Sequence, residues 1–284
     1  IAELDKLYDL GWRGGVFFVD DNFIGNKARL KREILPALIE WRQGKKGMTF
    51  NTEASVNLAD DPELMELMTR AGFDTVFVGI ETPDDDSLSE CNKIQNRGRD
   101  LMAAVKTMQR AGLQVQGGFI VGFDSDTPSI FRRQVEFIQK SGVVTAMVGL
   151  LNAPKGTKLY ERLEREGRLE GEFTGDNTNN TMNFRPQMDP EVLRAGYQSI
   201  MEGIYAPQAY YARVRTYLAE YNRRAQVQRV LSWDYVMAFF RSVLHLGILG
   251  KERLEYWKLL AWTIVRKPKL FPDAVTLAIY GFHF

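Results

Sequence analysis

Nine polar side chains stand where short apolar runs stop. Asp20, Asp21 and Asn22 follow 14–19, Glu53 follows 48–52, Glu81 follows 75–80, Asp124 and Asp126 follow 115–122, and Asn152 and Lys155 follow 143–151. Taken singly, each has a plain use as the cap of the next turn or helix. Together they point further, because acids at consecutive strand ends converge if the strands close into a barrel. Two chemistries suit such a rim: hydrogen bonds to the amino and hydroxyl groups of a ligand, or oxygen coordination of a hard cation such as magnesium. Gly117, Gly118 and Gly122 lie in the fourth run, VQGGFIVGFDSD. There the backbone can be approached closely, by a flat ring such as adenine or by a packed helix.

The elements that must position these groups follow from periodicity. Apolar runs of strand length alternate with amphipathic segments at 28–41, 62–71, 98–110, 129–140 and 158–166, and glycines close several of them. The run 14–19 is fully apolar and reads as a strand buried on both faces. The run ends are spaced about 30 residues apart, the length of one strand-helix unit of a barrel, and the first turn lacks the glycine-rich fingerprint of a dinucleotide fold. The expected architecture is therefore α/β: a partial barrel over 1–170, a polar linker over 171–189, and an all-helical domain over 190–284. Within that domain, helices are expected near 190–220, 233–247 and 251–266. Its aromatic side chains read as core, with covering of a substrate opening or contact with a membrane surface as further uses.

Composition narrows the class. The 284 residues are 45% hydrophobic and 26% charged, enough for a substantial core, and 37 basic against 36 acidic residues leave a net charge of +1. Such a balance supplies no global field for nucleic acid, which is not expected as a partner. A single cysteine, Cys91, precludes internal disulfides and any metal site built on several cysteines of this chain, and it fits a reducing compartment. Charges interrupt the apolar tail before any run reaches the ~18 residues of a membrane span. A cytoplasmic protein with optional peripheral membrane contact is the expectation.

The runs FFVDDNFIGN, NTEAS, VFVGIET, GGFIVGFDSDT and LLNAPKGTKLYERLEREGRL, in this order and spacing, resemble the radical S-adenosylmethionine enzymes of the cobalamin-binding subgroup. The segment SLSECNKIQNRGRDL and the helical tail are similar to the branch carrying a C-terminal domain of unknown function. The resemblance implies strands two to six of a six-stranded partial barrel. It further implies S-adenosylmethionine, a [4Fe-4S] cluster held by a CxxxCxxC loop after the first strand, and cobalamin on a further domain. Asp20, Asp21 and Asn22 then match positions near the methionine amino group, Glu53 and Glu81 positions near methionine or ribose. Gly118, Ile120 and Gly122 match the adenine wall, and Asn152 and Pro154 the sixth-strand turn.

The chain departs from this pattern in having no CxxxCxxC. The expectation is a fragment whose cobalamin domain, first strand and cluster loop lie upstream, inactive by itself. Its parent would perform methyl transfer or radical rearrangement on a small or lipid-like substrate. Two competitors remain: a magnesium-dependent barrel enzyme using Asp20 and Asp21, and a non-catalytic binding or scaffold protein.

Overall fold

The computed structural model of the protein describes residues 1–171, 181–222 and 233–283. Five strands, β1 (Gly15–Phe18), β2 (Thr49–Glu53), β3 (Phe73–Glu81), β4 (Gln114–Val121) and β5 (Ala146–Leu150), form one sheet in sequential order with every pairing parallel. Sequential parallel order needs a crossover after each strand, and these are helical. In chain order the helices are α1 (Ala2–Asp9), α2 (Leu35–Trp41), α3 (Pro62–Ala71), α4 (Asp85–Glu90), α5 (Leu101–Ala111), α6 (Ser129–Ser141) and α7 (Lys158–Arg165). They continue with α8 (Pro190–Tyr205), α9 (Pro207–Glu220), α10 (Trp233–Ser242), α11 (Arg253–Arg266) and α12 (Phe271–Gly281). The barrel expected from the apolar runs is present as a partial barrel, and all five strand ends open on one rim.

Local chemistry sets the helix ends. Asp61 caps α3 through the Leu64 amide and Asp100 caps α5 through that of Ala103, while Gly72 and Gly112 end the same helices in the left-handed region. Asp189 caps α8 by accepting from the amides of Glu191 and Val192, with Pro190 at its first position. Ahead of α2, residues Leu30–Ile34 widen into a π turn just before Pro36, whose ring nitrogen cannot donate to the preceding turn. The expected helix over 190–220 is two helices, because Pro207 breaks it. The helices α4 and α12 were not anticipated.

The strands are two-sided. One face carries Val16, Phe50, Val76, Val78, Ile80, Val115, Phe119 and Val148 into the main core beneath the crossover helices. The other carries Phe17, Asn51, Glu53, Thr75, Phe77, Gly79, Gln116, Gly118 and Met147, which remain half-buried or exposed. The expectation that β1 is buried on both faces is thereby corrected: Phe17 is 49% and Val19 79% exposed, because nothing among the described residues covers this second face.

The cores divide later in the chain than the expected linker. Leu193, Tyr197, Ile200 and Ile204 of α8 belong to the barrel core, and a second core begins with Tyr210 on α9 and runs through α11 and α12. Residues 172–180 of the expected linker lie outside the described residues. Within 181–186, Asn183 and Phe184 are buried: Phe184 bridges Leu169 in antiparallel fashion, and the Asn183 side chain is bonded to both backbone groups of Ala153.

The second core meets the barrel at the amino-terminal end of β5. Val144 belongs to it, and the Gly142 turn presses on the Tyr217 backbone. The tail is thus fastened at the end of the sheet opposite the rim, an attachment that does not favour its covering the rim opening and is compatible with contact with a membrane surface, the two further uses its aromatic side chains suggest. Arg213 is the rivet. It is 1% exposed and donates to the carbonyls of Ile204 and Val144 and to Gln139 Oε1, with the Tyr205 and Tyr210 rings over its guanidinium. Burial lowers its pKa to about 10, the nearby tyrosines opposing the shift. Replacing it strands buried carbonyls, so Arg213→Met is expected to cost about 3 kcal/mol. Urea denaturation measures this, and a loss under about 1 kcal/mol would show that the rivet carries little.

Candidate functional site at the strand-end rim

At the end of β3 the backbone departs from regularity. The β3–β4 register slips between Gly79 and Glu81, Glu81 takes φ of +65°, and the Thr82 amide bonds the Ile80 carbonyl at 2.9 Å. This is a γ-turn centred on a residue with a β-carbon, a strained arrangement of the kind found at working sites. Its effect is to fold the Glu81 carboxylate back over Gly79. A β-carbon at Gly79 would lie 2.6 Å from Glu81 Oε1 and 3.1 Å from Lys93 Nζ. Lys93 pairs with Glu81 at 2.7 Å, and the neighbouring Asn96 donates to the Gly79 and Ile80 carbonyls. The segment 91–96 is thereby latched across the end of β3.

Beside Gly79 in register stands Gly118, where a β-carbon would strike the Phe77 ring at 2.8 Å. Phe77, Gly79 and Glu81 share one face of β3, with Gly118 and Ile120 on the adjoining strand. The result is a shallow floor bearing an aromatic ring, two glycines and one carboxylate. Glu53 lies in register with Phe77 and has no partner among the described residues, and Asn51 Oδ1 is buried without one. Such a surface offers acceptors to amino and hydroxyl groups and a flat apolar wall to a ring.

The other rim residues divide. Asp20 and Asp21 are exposed and make no described bond, while Asn22 accepts from the amide and hydroxyl of Ser55. Ile120 joins a small apolar cluster with Phe123, Leu151, Ala153, Leu163 and Phe184. Gly122 is closed off, since a β-carbon there would meet Met182 at 3.1 Å. Asn152 spends its side chain on the Leu150 and Thr181 carbonyls and the Asn183 amide, and the Pro154 carbonyl accepts from Thr157. Asp124 is taken up by Arg168 and Arg162, and Asp126 by the amides of Gly122 and Phe123 and the Ser87 hydroxyl. Sequence reasoning missed Phe77, Gly79, Lys93 and Asn96. The period-two spacing of Phe77, Gly79 and Glu81 was there to be read, whereas nothing in the sequence pairs Lys93 with Glu81.

The parallel sheet and the helices that follow it are shared with known proteins. Residues 1–138 match the Radical SAM superfamily model and residues 157–284 a domain of unknown function, DUF4070. The chain belongs to the radical S-adenosylmethionine superfamily. It is 36% identical to an uncharacterised methyltransferase of Synechocystis over its whole length and 54% of that protein. It is 34% identical to the hopanoid C-2 methylase of Rhodopseudomonas palustris, covering 94% of this chain and 51% of that one. A bacteriochlorophyllide d C-12(1)-methyltransferase of Chlorobaculum tepidum is 30% identical over 52% of this chain and 31% of its own length. The chain spans about half the length of the first two of these relatives. Two solved structures share the fold: the radical S-adenosylmethionine methyltransferase TsrM of Kitasatospora setae (TM-score 0.51, 15% identity, 99% of this chain and 54% of that one) and the cobalamin-dependent enzyme OxsB (0.52, 11%, 98% and 52%).

The superfamily's cofactors are S-adenosylmethionine and a [4Fe-4S] cluster. The residues of this chain fit the first and not the second. Cys91 is its single cysteine, half-buried in the apolar cluster, and its thiol donates to the Leu88 carbonyl at 3.6 Å. Burial pushes that thiol's pKa up, away from the thiolate a cluster needs. Among the described residues no three His, Cys, Asp or Glu side chains gather to hold a metal, so the magnesium reading of Asp20 and Asp21 finds no third ligand.

Arg168, 6% exposed, pairs bidentately with Asp124 at 2.6 and 2.8 Å and holds its carboxyl below the usual carboxylate range. A depressed carboxylate contributes stability above its unfolded value of about 3.9, and that stability is lost as pH falls through the folded value. Arg168→Met is expected to lose about 2 kcal/mol at pH 7. The deficit should shrink once Asp124 is protonated in wild type, and a deficit unchanged by acid in urea melts would refute the assignment.

Proposed function

We propose that this chain forms the S-adenosylmethionine-holding part of a cobalamin-linked methyltransferase acting on a polycyclic, lipid-like substrate. The observation that carries the reading is its similarity to the hopanoid methylase along 94% of its length, tail included. A second supports it: the methyltransferase relatives named for their substrates act on a hopanoid and on bacteriochlorophyllides.

The rim supplies the parts such a cofactor needs. Glu53, with Asp20 and Asp21 following the end of the adjoining strand β1, would accept from the methionine amino group. Glu81, fixed by its γ-turn and by Lys93, would accept from a ribose hydroxyl. Gly118 and Ile120 with the Phe77 ring would lie against adenine, Gly118 because it has no side chain to hold the ring away. Asn22, Gly122, Asn152 and Pro154 act at one remove, by shaping the loops around it. When bound, S-adenosylmethionine supplies the methyl and 5′-deoxyadenosyl groups of the superfamily's chemistry. This chain's own residues bind it, orient it and keep it in place. Cluster and cobalamin would be held by parts of the protein other than these residues, and the chain alone is expected to be inactive.

Titration calorimetry tests the binding half. The chain should bind S-adenosylmethionine, and Glu81→Gln and Gly79→Ala should each weaken it about tenfold, near 1.4 kcal/mol, with the thermal midpoint little moved. Equal affinity in wild type and both variants would remove Glu81 from the site. The full-length protein, reconstituted anaerobically with iron, sulfide and cobalamin, should move a labelled methyl group from S-adenosylmethionine into a polycyclic lipid. Cleavage of S-adenosylmethionine without methyl transfer would sink the methyltransferase reading.

A further inference from the structure

The C-terminal helices carry a surface that neither core nor rim uses and that nothing among the described residues covers. Of the 21 exposed large apolar side chains described, 13 lie between residues 233 and 282, a concentration beyond ordinary scatter. They are ordered. Trp233, Met237, Phe240, Leu244 and Ile248 recur at intervals of three and four along α10 and the π turn Val243–Leu249 that continues it, which places them on one face. On α11, Leu254, Trp257, Ile264 and Val265 make a second exposed stripe.

The two stripes adjoin. The Trp257 indole donates to the Gly247 carbonyl at 2.9 Å, and a β-carbon at Gly247 would lie 3.0 Å from that ring. Ser242 and Tyr256 are bonded at 2.9 Å behind them. Gly247 therefore lets the two helices meet closely enough for their apolar edges to form one surface.

Charge on this segment is one-sided. Arg241, Lys251, Arg253, Lys258, Arg266 and Lys269 are exposed, and Lys258 alone of these has a described acidic partner, Glu255. The carboxylates described here, Glu252, Glu255 and Asp273, are all half-buried. A second copy is a poor occupant, since two-fold apposition would set this basic face against itself. The rim is a poor one too, because the domain is fastened to the opposite end of the sheet. Exposed tryptophan and aliphatic stripes bordered by arginine and lysine match the interface of an anionic bilayer, where rings sit at headgroup level and basic heads meet lipid phosphates.

We propose that the face formed by α10, the π turn after it and α11 docks peripherally on anionic lipid bilayers. No helix among the described residues is long and apolar enough to cross a membrane, so the contact is interfacial. The inference rests on the exposure and charge of this face and not on the methyl-transfer reading.

Co-sedimentation with vesicles decides it. The chain should sediment with vesicles of equal phosphatidylglycerol and phosphatidylcholine and much less with phosphatidylcholine alone. Binding should weaken in about 0.5 M salt, where screening shortens to a few ångströms. The variants Phe240→Ser/Ile248→Ser and Arg253→Glu/Lys269→Glu change only exposed side chains and should each lower binding at least tenfold. They should leave S-adenosylmethionine affinity unchanged, which separates failure here from failure of the rim assignment. Absence of binding to the anionic vesicles, or binding indifferent to both variants, overturns the proposal. So does a dimer in sedimentation equilibrium that Phe240→Ser/Ile248→Ser dissociates while vesicle binding persists.

Discussion

Parallel pairing in sequential order is the constraint from which the rest follows. Every strand must run the same way, so every strand must end at the same edge, and every return must be made by a helix outside. The helices bury one face of the sheet. They leave the other to side chains that tolerate water or leave room, which is why asparagine, glutamine, threonine and glycine occupy it so heavily. The Glu81 carboxylate can lie flat on that face only because Gly79 is beneath it, and the Phe77 ring only because Gly118 is beside it. The site is made as much by missing β-carbons as by functional groups.

The attachment of the helical domain obeys a different rule. A guanidinium with no carboxylate partner among the described residues is buried at the joint, where carbonyl oxygens, an amide and ring faces meet it and only its Nε is left without a partner. Such a group contributes geometry more surely than energy, since it can satisfy those carbonyls in one arrangement only. The ion pairs above the rim work alike: Arg162 and Arg168 draw Asp124 and Glu90 together and so tie the loop after β4 to α4 and α7. Both networks fix where one piece sits upon another.

Much of the frame was legible in the sequence because short-range physics produces it. Apolar runs, capping aspartates and closing glycines located all five strands and most crossovers, and the ordered motifs identified the superfamily. What failed to show depended on contacts between distant residues. Asp124 and Asn152 read as free rim groups because their partners lie at 168 and at 181–183. Gly122 read as a place where a ring or a helix could approach the backbone, and the group that does so is Met182, from far along the chain. The burial of β1 was overestimated, since an apolar run tells how a strand prefers to be covered and not whether it is. The division between the cores was placed too early, because α8 looks from its sequence like any other helix of the tail, yet its apolar face belongs to the barrel.

The joint at the amino-terminal ends of the strands has one more consequence. It gives the molecule two poles: a polar mouth at one, and at the other a helical foot whose outermost side chains are aromatic and basic. A body held by its foot keeps its mouth clear, free to accept small molecules or another domain without competing for the surface that holds it. Attachment and chemistry can then change independently in evolution, because among the described residues the two meet chiefly through α9, locked by Arg213.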